Sequence, residues 1–230
     1  MNKDILLSCC IMHPEKVDLS KLLSRIPKES QIVSCIIKQV ENYETQYVVI
    51  GKTSRLVSLE YHYSSYEIDF DFSAIRNFMD QEADGVWSLH IDSDEFLGTH
   101  PEELIAEVQA MNETKAVAGW TSISGIMHDS HQVDGVRERY IVHSCRLIKR
   151  NSGMFWEGIC HEIPSSEIKE VAMVDTDIIL IHDGYKISNE LFETKGVRNG
   201  KLLLREYNRK PTKRVWNYLI KTFKTLSLEV

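Results

Sequence analysis

Short runs of β-branched and other apolar residues alternate along this chain with stretches of helical period, and that alternation is the signature of strands crossed by helices. The fold class it implies is α/β. Ile5 to Met12 reads as a buried strand, Asp18 to Arg25 as a short helix, and Gln31 to Val40 as a second strand. Tyr47 to Ile50 and Arg55 to Tyr63 follow as two strands around Gly51. Asp71 is placed to cap a helix whose stripe is Phe72, Ile75, Met79 and Ala83, and Asp84-Gly85 stops it. Val86 to Ile91 is again a strand. Thr99 and Glu102 have the spacing of a capping box ahead of a helix over Glu102 to Met111, with Pro101 in its first turn. A less regular middle precedes a strand or two in Val171 to Ile181, and the tail from Asn189 is helical. The expected organisation is one domain over 1–188 and a helical tail over 189–230.

The strand Val86 to Ile91 runs directly into Asp92-Ser93-Asp94-Glu95. The acidic cluster is thereby expected at a strand's carboxyl end, where open α/β sheets bind ligands. Carboxylates at i and i+2 are hard oxygen ligands of the kind that hold Mg²⁺ or Mn²⁺ while leaving sites for phosphate oxygens. As a bare pattern, Asp-x-Asp is more often a solvated turn with a helix cap.

The wider context resembles a known family. Phe70 to Asn77 and Gly85 to Glu95 are similar to the "DFSxxRN … GdWxLxxDxDE" run of family 2 glycosyltransferases. The likeness continues at Cys145 to Lys149, Trp156 to Glu162, Ile181-His182-Asp183-Gly184-Tyr185 and Lys195 to Asn199, covering about residues 66 to 206 in the family's order. The resemblance implies a single GT-A-like domain with a mixed, mostly parallel central sheet flanked by helices. It also implies a nucleotide-diphospho-sugar donor and a single displacement that inverts the anomeric centre. A divalent metal, Mn²⁺ or Mg²⁺, would stabilise charge on the departing diphosphate, clamped by Asp94 and, directly or through water, Asp92. A late His in such enzymes completes the metal shell, and here it is His182. Arg76 is then expected to reach a phosphate or the carboxylates, the alternative being an ion pair with Asp92 or Glu95. Asn77 would fix ribose or a loop. The acceptor hydroxyl must lose a proton as it attacks, and Glu162 is the candidate base with His161 as alternate. Neither His128 nor any other remaining histidine receives a role.

The family's "DxgSxDxT" turn after the second strand is missing; Ile36 to Asn42 stands in its place. Donor nucleotide and sugar are therefore open. The acceptor would be a glycan, a lipid-linked sugar or a protein, read by the span around Trp120 to Tyr140. Two other classes use similar residues, a nucleotidyltransferase or phosphohydrolase and a non-catalytic sugar or nucleotide binder. The nucleotidyltransferase is disfavoured because Cys10 to Pro14 is no phosphate loop.

A formal charge of -7 argues against a nucleic-acid partner. Five cysteines, none in a CxxC pair, read as reduced core thiols of a cytoplasmic protein. The run Ile5 to Met12 is too short to span a bilayer. In the tail, Val215, Leu219, Phe223 and Leu226 recur at helical spacing beside Lys213, Arg214, Lys221 and Lys224. Such a helix packs on its own domain or on a partner subunit in a homo-oligomer, or lies as a peripheral contact on the inner face of a membrane.

Overall fold

The computed structural model describes residues 5–40, 46–64, 70–126, 132–133, 136–137, 139–182 and 189–227. Asp183, Gly184, Tyr185 and His128 lie outside the described residues.

The strands are β1 (Leu7–Pro14), β2 (Gln31–Val40), β3 (Gln46–Lys52), β4 (Leu56–Ser64), β5 (Trp87–Asp92), β6 (Glu95–Leu97), β7 (Ala118–Ile126), β8 (Gln132–Val133), β9 (Val136–Arg137), β10 (Arg139–Lys149), β11 (Met154–Glu157), β12 (Ile163–Ser166) and β13 (Met173–His182). The helices are α1 (Ser20–Leu23), α2 (Phe72–Glu82), α3 (Pro101–Asn112), α4 (Asn189–Arg209) and α5 (Lys213–Ser227). Nine strands form one sheet in the order β3-β4-β2-β1-β5-β10-β7-β13-β6. In it β4, β2, β1, β5, β7 and β13 run one way, and β3, β10 and β6 the other. The class is the expected one: a mixed, mostly parallel central sheet flanked by helices, with a C-terminal helical pair.

β1 is paired on both edges by parallel strands and packed on both faces, so Leu7 to His13 are all buried. Its alternate residues feed two cores. Leu7, Cys9 and Ile11 pack with Trp87, Leu89 and Ile91 against Leu104, Val108 and Met111 of α3. Cys10 and Met12 pack on the opposite side with Val33, Leu59 and Ile75. Leu202, Leu203, Val215 and Leu219 join this second core, so α4 and α5 are seated on the domain itself. The five cysteines are buried and unbridged. Burial pushes the thiols of Cys9, Cys35, Cys145 and Cys160 up to about 12, which keeps them protonated and unreactive. Among the described residues, no helix is long and apolar enough to cross a membrane.

Helix α2 begins where the sequence puts it: the Asp71 carboxylate accepts from Ala74 N at 3.0 Å and from Ser73 Oγ at 2.7 Å. Such a cap contributes about 1 kcal/mol. Helix α3 starts one residue earlier than expected, and the capping pair shifts with it. The Glu103 carboxylate, not Glu102, reaches back to accept from the N-cap amide, that of His100, at 3.3 Å. Thr99 is drawn instead to the neighbouring strand, its Oγ1 accepting from Ile179 N at 2.7 Å.

Candidate active site

β5 delivers Asp92 at its carboxyl end, beside Met12 of β1 in parallel register. The chain then reverses through Ser93-Asp94, and the short β6 pairs with the end of β13, Glu95 opposite His182. This pairing joins the two distant parts of the sequence motif. His182 Nε2 lies 3.4 Å from Asp94 Oδ2, and Lys195 Nζ of α4 lies 3.4 Å from the same oxygen. Tyr140 Oη contacts the other imidazole nitrogen, Nδ1. Burial opposes the charge of Asp94, but the hydrogen bond and charge of His182 hold the carboxyl below its ordinary value. His182 is shifted reciprocally: burial favours its neutral form, and the bond to Asp94 more than offsets this and raises its pKa.

Asp92 belongs to a different arrangement. Arg76 Nη2 donates to Asp92 Oδ1 at 2.8 Å, and Arg146 Nη2 donates to Asp92 Oδ2 at 2.8 Å and to Glu95 Oε1 at 2.9 Å. Glu95 Oε2 in turn accepts from the amide of Asp92 at 2.9 Å. Burial works against the Asp92 carboxylate, yet Arg146 and Arg76 hold its pKa well below the usual range. Burial dominates at Glu95 and raises its pKa despite Arg146. Arg76, only 2% exposed, also donates from Nε to Glu162 Oε1 at 2.5 Å and stacks over Trp156 at 5.0 Å. It therefore ties the β5 carboxylate to the expected acceptor-side base. Its Nη1 and Arg146 Nε are buried without a hydrogen-bond partner, two donors left over at the centre of the cluster.

Asn77, one turn position on from Arg76, holds a strand. Its amide donates to Trp156 O at 2.9 Å and its carbonyl accepts from Trp156 N at 2.7 Å. Of the two roles expected for Asn77, ribose or loop, its contacts are with the backbone of β11. Trp156 is further pinned through Nε1 to Asp80 Oδ2 at 3.1 Å, and Asp80 Oδ1 is 2.9 Å from His90 Nε2.

Glu162 and His161 sit in the connection Gly158 to Glu162 of the β11–β12 hairpin. That connection is fixed from two sides. Phe72 N of α2 donates to Ile159 O at 3.0 Å, and Ile159 N donates to the Glu206 carboxylate at 2.8 Å. His161 has φ 53, and its ring stacks on Tyr218 of α5 with centroids 4.3 Å apart and planes 6° from parallel. The candidate base and its alternate are thus divided: Glu162 joins Arg76, while His161 is held by α5. Burial pushes the His161 pKa down, so the imidazole is neutral at lower pH than usual.

Gly158 has φ +108, and a Cβ there would lie 2.6 Å from Arg214 Nη2. Gly158→Ala is expected to destabilise the protein by about 1–3 kcal/mol in denaturant unfolding. Gly51→Ala, with nothing within 4 Å, serves as its near-neutral control.

Arg146 and Lys195 receive no role from the sequence, and Tyr140, placed there in the acceptor span, contacts His182. Arg146 reaches the site through a β-bulge: β10 pairs Cys145 with Trp120 and Leu147 with Gly119 on β7, leaving Arg146 as the extra residue. A bulge of this kind re-aims a side chain out of the strand's alternation. Its position within the motif stretch Cys145 to Lys149 was the one signal available.

No protein-family model matches the chain, and no curated protein matches it. Among solved structures the chain is similar to S. aureus TarS 1–349 in complex with UDP-GlcNAc, at 16% identity over 56% of this chain and 36% of that one, with a TM-score of 0.35. It is also similar to S. aureus TarS 1–349 in complex with UDP, at 13% identity over 86% and 65%, with a TM-score of 0.43. The chain thus spans less than two thirds of either structure. At these values the likeness establishes no shared activity.

Proposed function

We propose that this chain is an inverting, metal-dependent glycosyltransferase that moves a sugar from a nucleotide-diphospho-sugar to a glycan, lipid-linked or protein acceptor. The observation that carries the proposal is the meeting of Asp94 with His182 beside the Asp92–Arg76–Glu162 bridge, at the carboxyl end of β5 and in the order of the family 2 motif.

The donor set suits a hard divalent cation. Asp94 and His182 present a carboxylate oxygen and an imidazole nitrogen 3.4 Å apart, near the separation of about 3 Å expected for adjacent ligands of an octahedral ion with bonds of about 2.1 Å. Asp94 and His182 would hold the ion, whereas both oxygens of Asp92 already accept from arginines. A cation bound there supplies positive charge to the leaving diphosphate. The remaining roles are those of the chain itself. Arg76 and Arg146 keep Asp92 ionised and fixed, and Lys195 adds a positive charge beside Asp94. Arg76 orients Glu162, the general base, for the acceptor hydroxyl.

Glu162→Gln tests this assignment. A glutamine carbonyl still accepts from Arg76 Nε, so the cluster keeps its shape while the base is lost. Turnover is expected to fall roughly 10²–10⁴-fold with donor affinity retained. Wild-type turnover would remove Glu162 from the chemistry.

One observation favours a second reading, a non-catalytic nucleotide or sugar binder: the Lys195 ammonium approaches the same Asp94 oxygen as His182, placing a built-in cation beside the proposed metal position. In that case donor binding persists without metal and no transfer occurs.

A further inference from the structure

The apolar sector of α5 is wider than the body it packs on. Val215 and Leu219 are buried against the domain, while Trp216, Ile220 and Phe223 form an adjoining row, 49%, 36% and 52% exposed. Leu204 and Val197, at 47% and 46%, extend the exposed apolar surface along α4. The two helices lie side by side here, with Tyr207 and Trp216 ring centroids 5.6 Å apart. Exposed apolar rows on one helix pair, rather than scattered single residues, mark a docking surface.

The charge around this row names the occupant. The chain carries 34 acidic and 27 basic residues, yet α5 contains no Asp or Glu and holds Lys213, Arg214, Lys221 and Lys224. Lys213, Lys221 and Lys224 are all exposed. On the helical wheel Lys213 and Lys224 border the Trp216–Ile220–Phe223 row. Beyond them a shallow depression is lined by Arg214, Asn217, Tyr218 and Lys221, polar groups suited to an anionic headgroup. A basic helix with Trp and Phe on its apolar side is built to lie in the interface of an anionic bilayer. A second copy fits less well, because a two-fold pairing of α5 on α5 would oppose the same lysines.

We infer that the outer face of the α4–α5 hairpin docks on a bilayer of anionic phospholipid, with Trp216, Ile220 and Phe223 inserted and Lys213, Lys221 and Lys224 at the headgroups. This inference is independent of the reading of the carboxylate site. The Glu162 loop is held from the other side of α5, by Arg214 Nη1 donating to His161 O at 2.9 Å and by Tyr218 stacked on the His161 ring, so docking leaves it facing away from the lipid.

The test is flotation of the full chain with vesicles of phosphatidylcholine and phosphatidylglycerol in equal parts, against vesicles of phosphatidylcholine alone. Binding to the anionic vesicles only, weakened by salt, is expected. Lys221→Gln with Lys224→Gln should lower the partition roughly 25-fold, about fivefold per lysine. Phe223→Ser should lower it without changing the unfolding midpoint, because the side chain is half exposed. Absence of flotation with anionic vesicles overturns the inference, as does equal binding to neutral ones. A concentration-dependent doubling of mass in light scattering that Phe223→Ser abolishes, with no vesicle binding, assigns the face to a second copy instead.

Discussion

Arg146→Met is expected to cost about 3–5 kcal/mol of folding stability, the largest effect of any single substitution in the site. Its Nη2 bridges Asp92 at the end of β5 and Glu95 at the start of β6, strands consecutive in the chain but far apart in the sheet, and the Glu95 side chain is almost fully buried. Methionine fills much of the volume but leaves Glu95 without its hydrogen-bonded cation and Asp92 with Arg76 alone. The loss should depend on pH. Burial already raises the Glu95 pKa in the intact protein, with Arg146 acting against it. Without Arg146 the folded state binds protons more readily than the unfolded state, so stability falls as pH rises through the carboxyl range and beyond. Urea unfolding should therefore show a larger deficit at pH 8 than at pH 5. Arg146→Lys should recover part of it, because one nitrogen makes both bonds. A deficit below about 1 kcal/mol at pH 8 would mean that the bridge is not structural.

Asp94→Asn should leave stability nearly unchanged and remove divalent-cation binding. Its two cationic neighbours stand at 3.4 Å and the carboxylate is partly exposed, so the ion pairs contribute about 0–1 kcal/mol. As a metal ligand the same carboxylate is worth far more. Substitutions behind a metal ligand cost roughly 10–100-fold in affinity, and loss of a charged ligand should exceed that. Calorimetric titration with Mn²⁺ is the measurement, with His182→Ala expected to weaken binding in parallel. Unchanged Mn²⁺ affinity in Asp94→Asn would take Asp94 out of the proposed metal site and leave it as an ion-pair partner of Lys195.

The parallel half of the fold was legible because its signals are local. Gln31 to Val40 is a strand at both predicted ends, and Asp71 caps α2 as its spacing requires. Val86 to Ile91 leads to a strand tip carrying Asp92 because a buried apolar run cannot continue into three carboxylates. The long antiparallel pair of β7 and β10 is not legible in the sequence, which shows only an irregular middle there. In β10, Ile141 and Val142 are both exposed while Cys145, Leu147 and Ile148 are buried, so no simple alternation marks it. The bulge at Arg146 breaks what period there is.

The site shows the same division. That Asp94 lies in the turn just past one strand and His182 at the end of another follows from the sequence; that β6 folds back to pair with β13 is a register of distant segments, fixed only in three dimensions. Arg76 was expected to reach either a phosphate or the carboxylates, and it reaches the carboxylates, bridging Asp92 and Glu162. His161 and Glu162 are alternates for one role in the sequence, where both fall in the acceptor-side motif, and the left-handed backbone at His161 sends its ring to Tyr218 instead. In the tail, the helical stripe foretold Val215 and Leu219 in the core but not that Phe223 would stay half exposed. Leu226 belongs to the same stripe, and its side chain lies outside the described ones.

The central claim is that this carboxyl-end cluster transfers a sugar from a nucleoside diphosphate. The direct measurement is release of nucleoside diphosphate from a panel of UDP- and GDP-sugars with Mn²⁺, with and without chelator, in the intact protein and in Asp94→Asn. The proposal predicts release from at least one donor, lost on chelation and lost in the variant. Release of inorganic phosphate or pyrophosphate in place of nucleoside diphosphate would contradict it in favour of phosphoester chemistry. Donor binding with no release from any member of the panel would contradict it in favour of a non-catalytic binder.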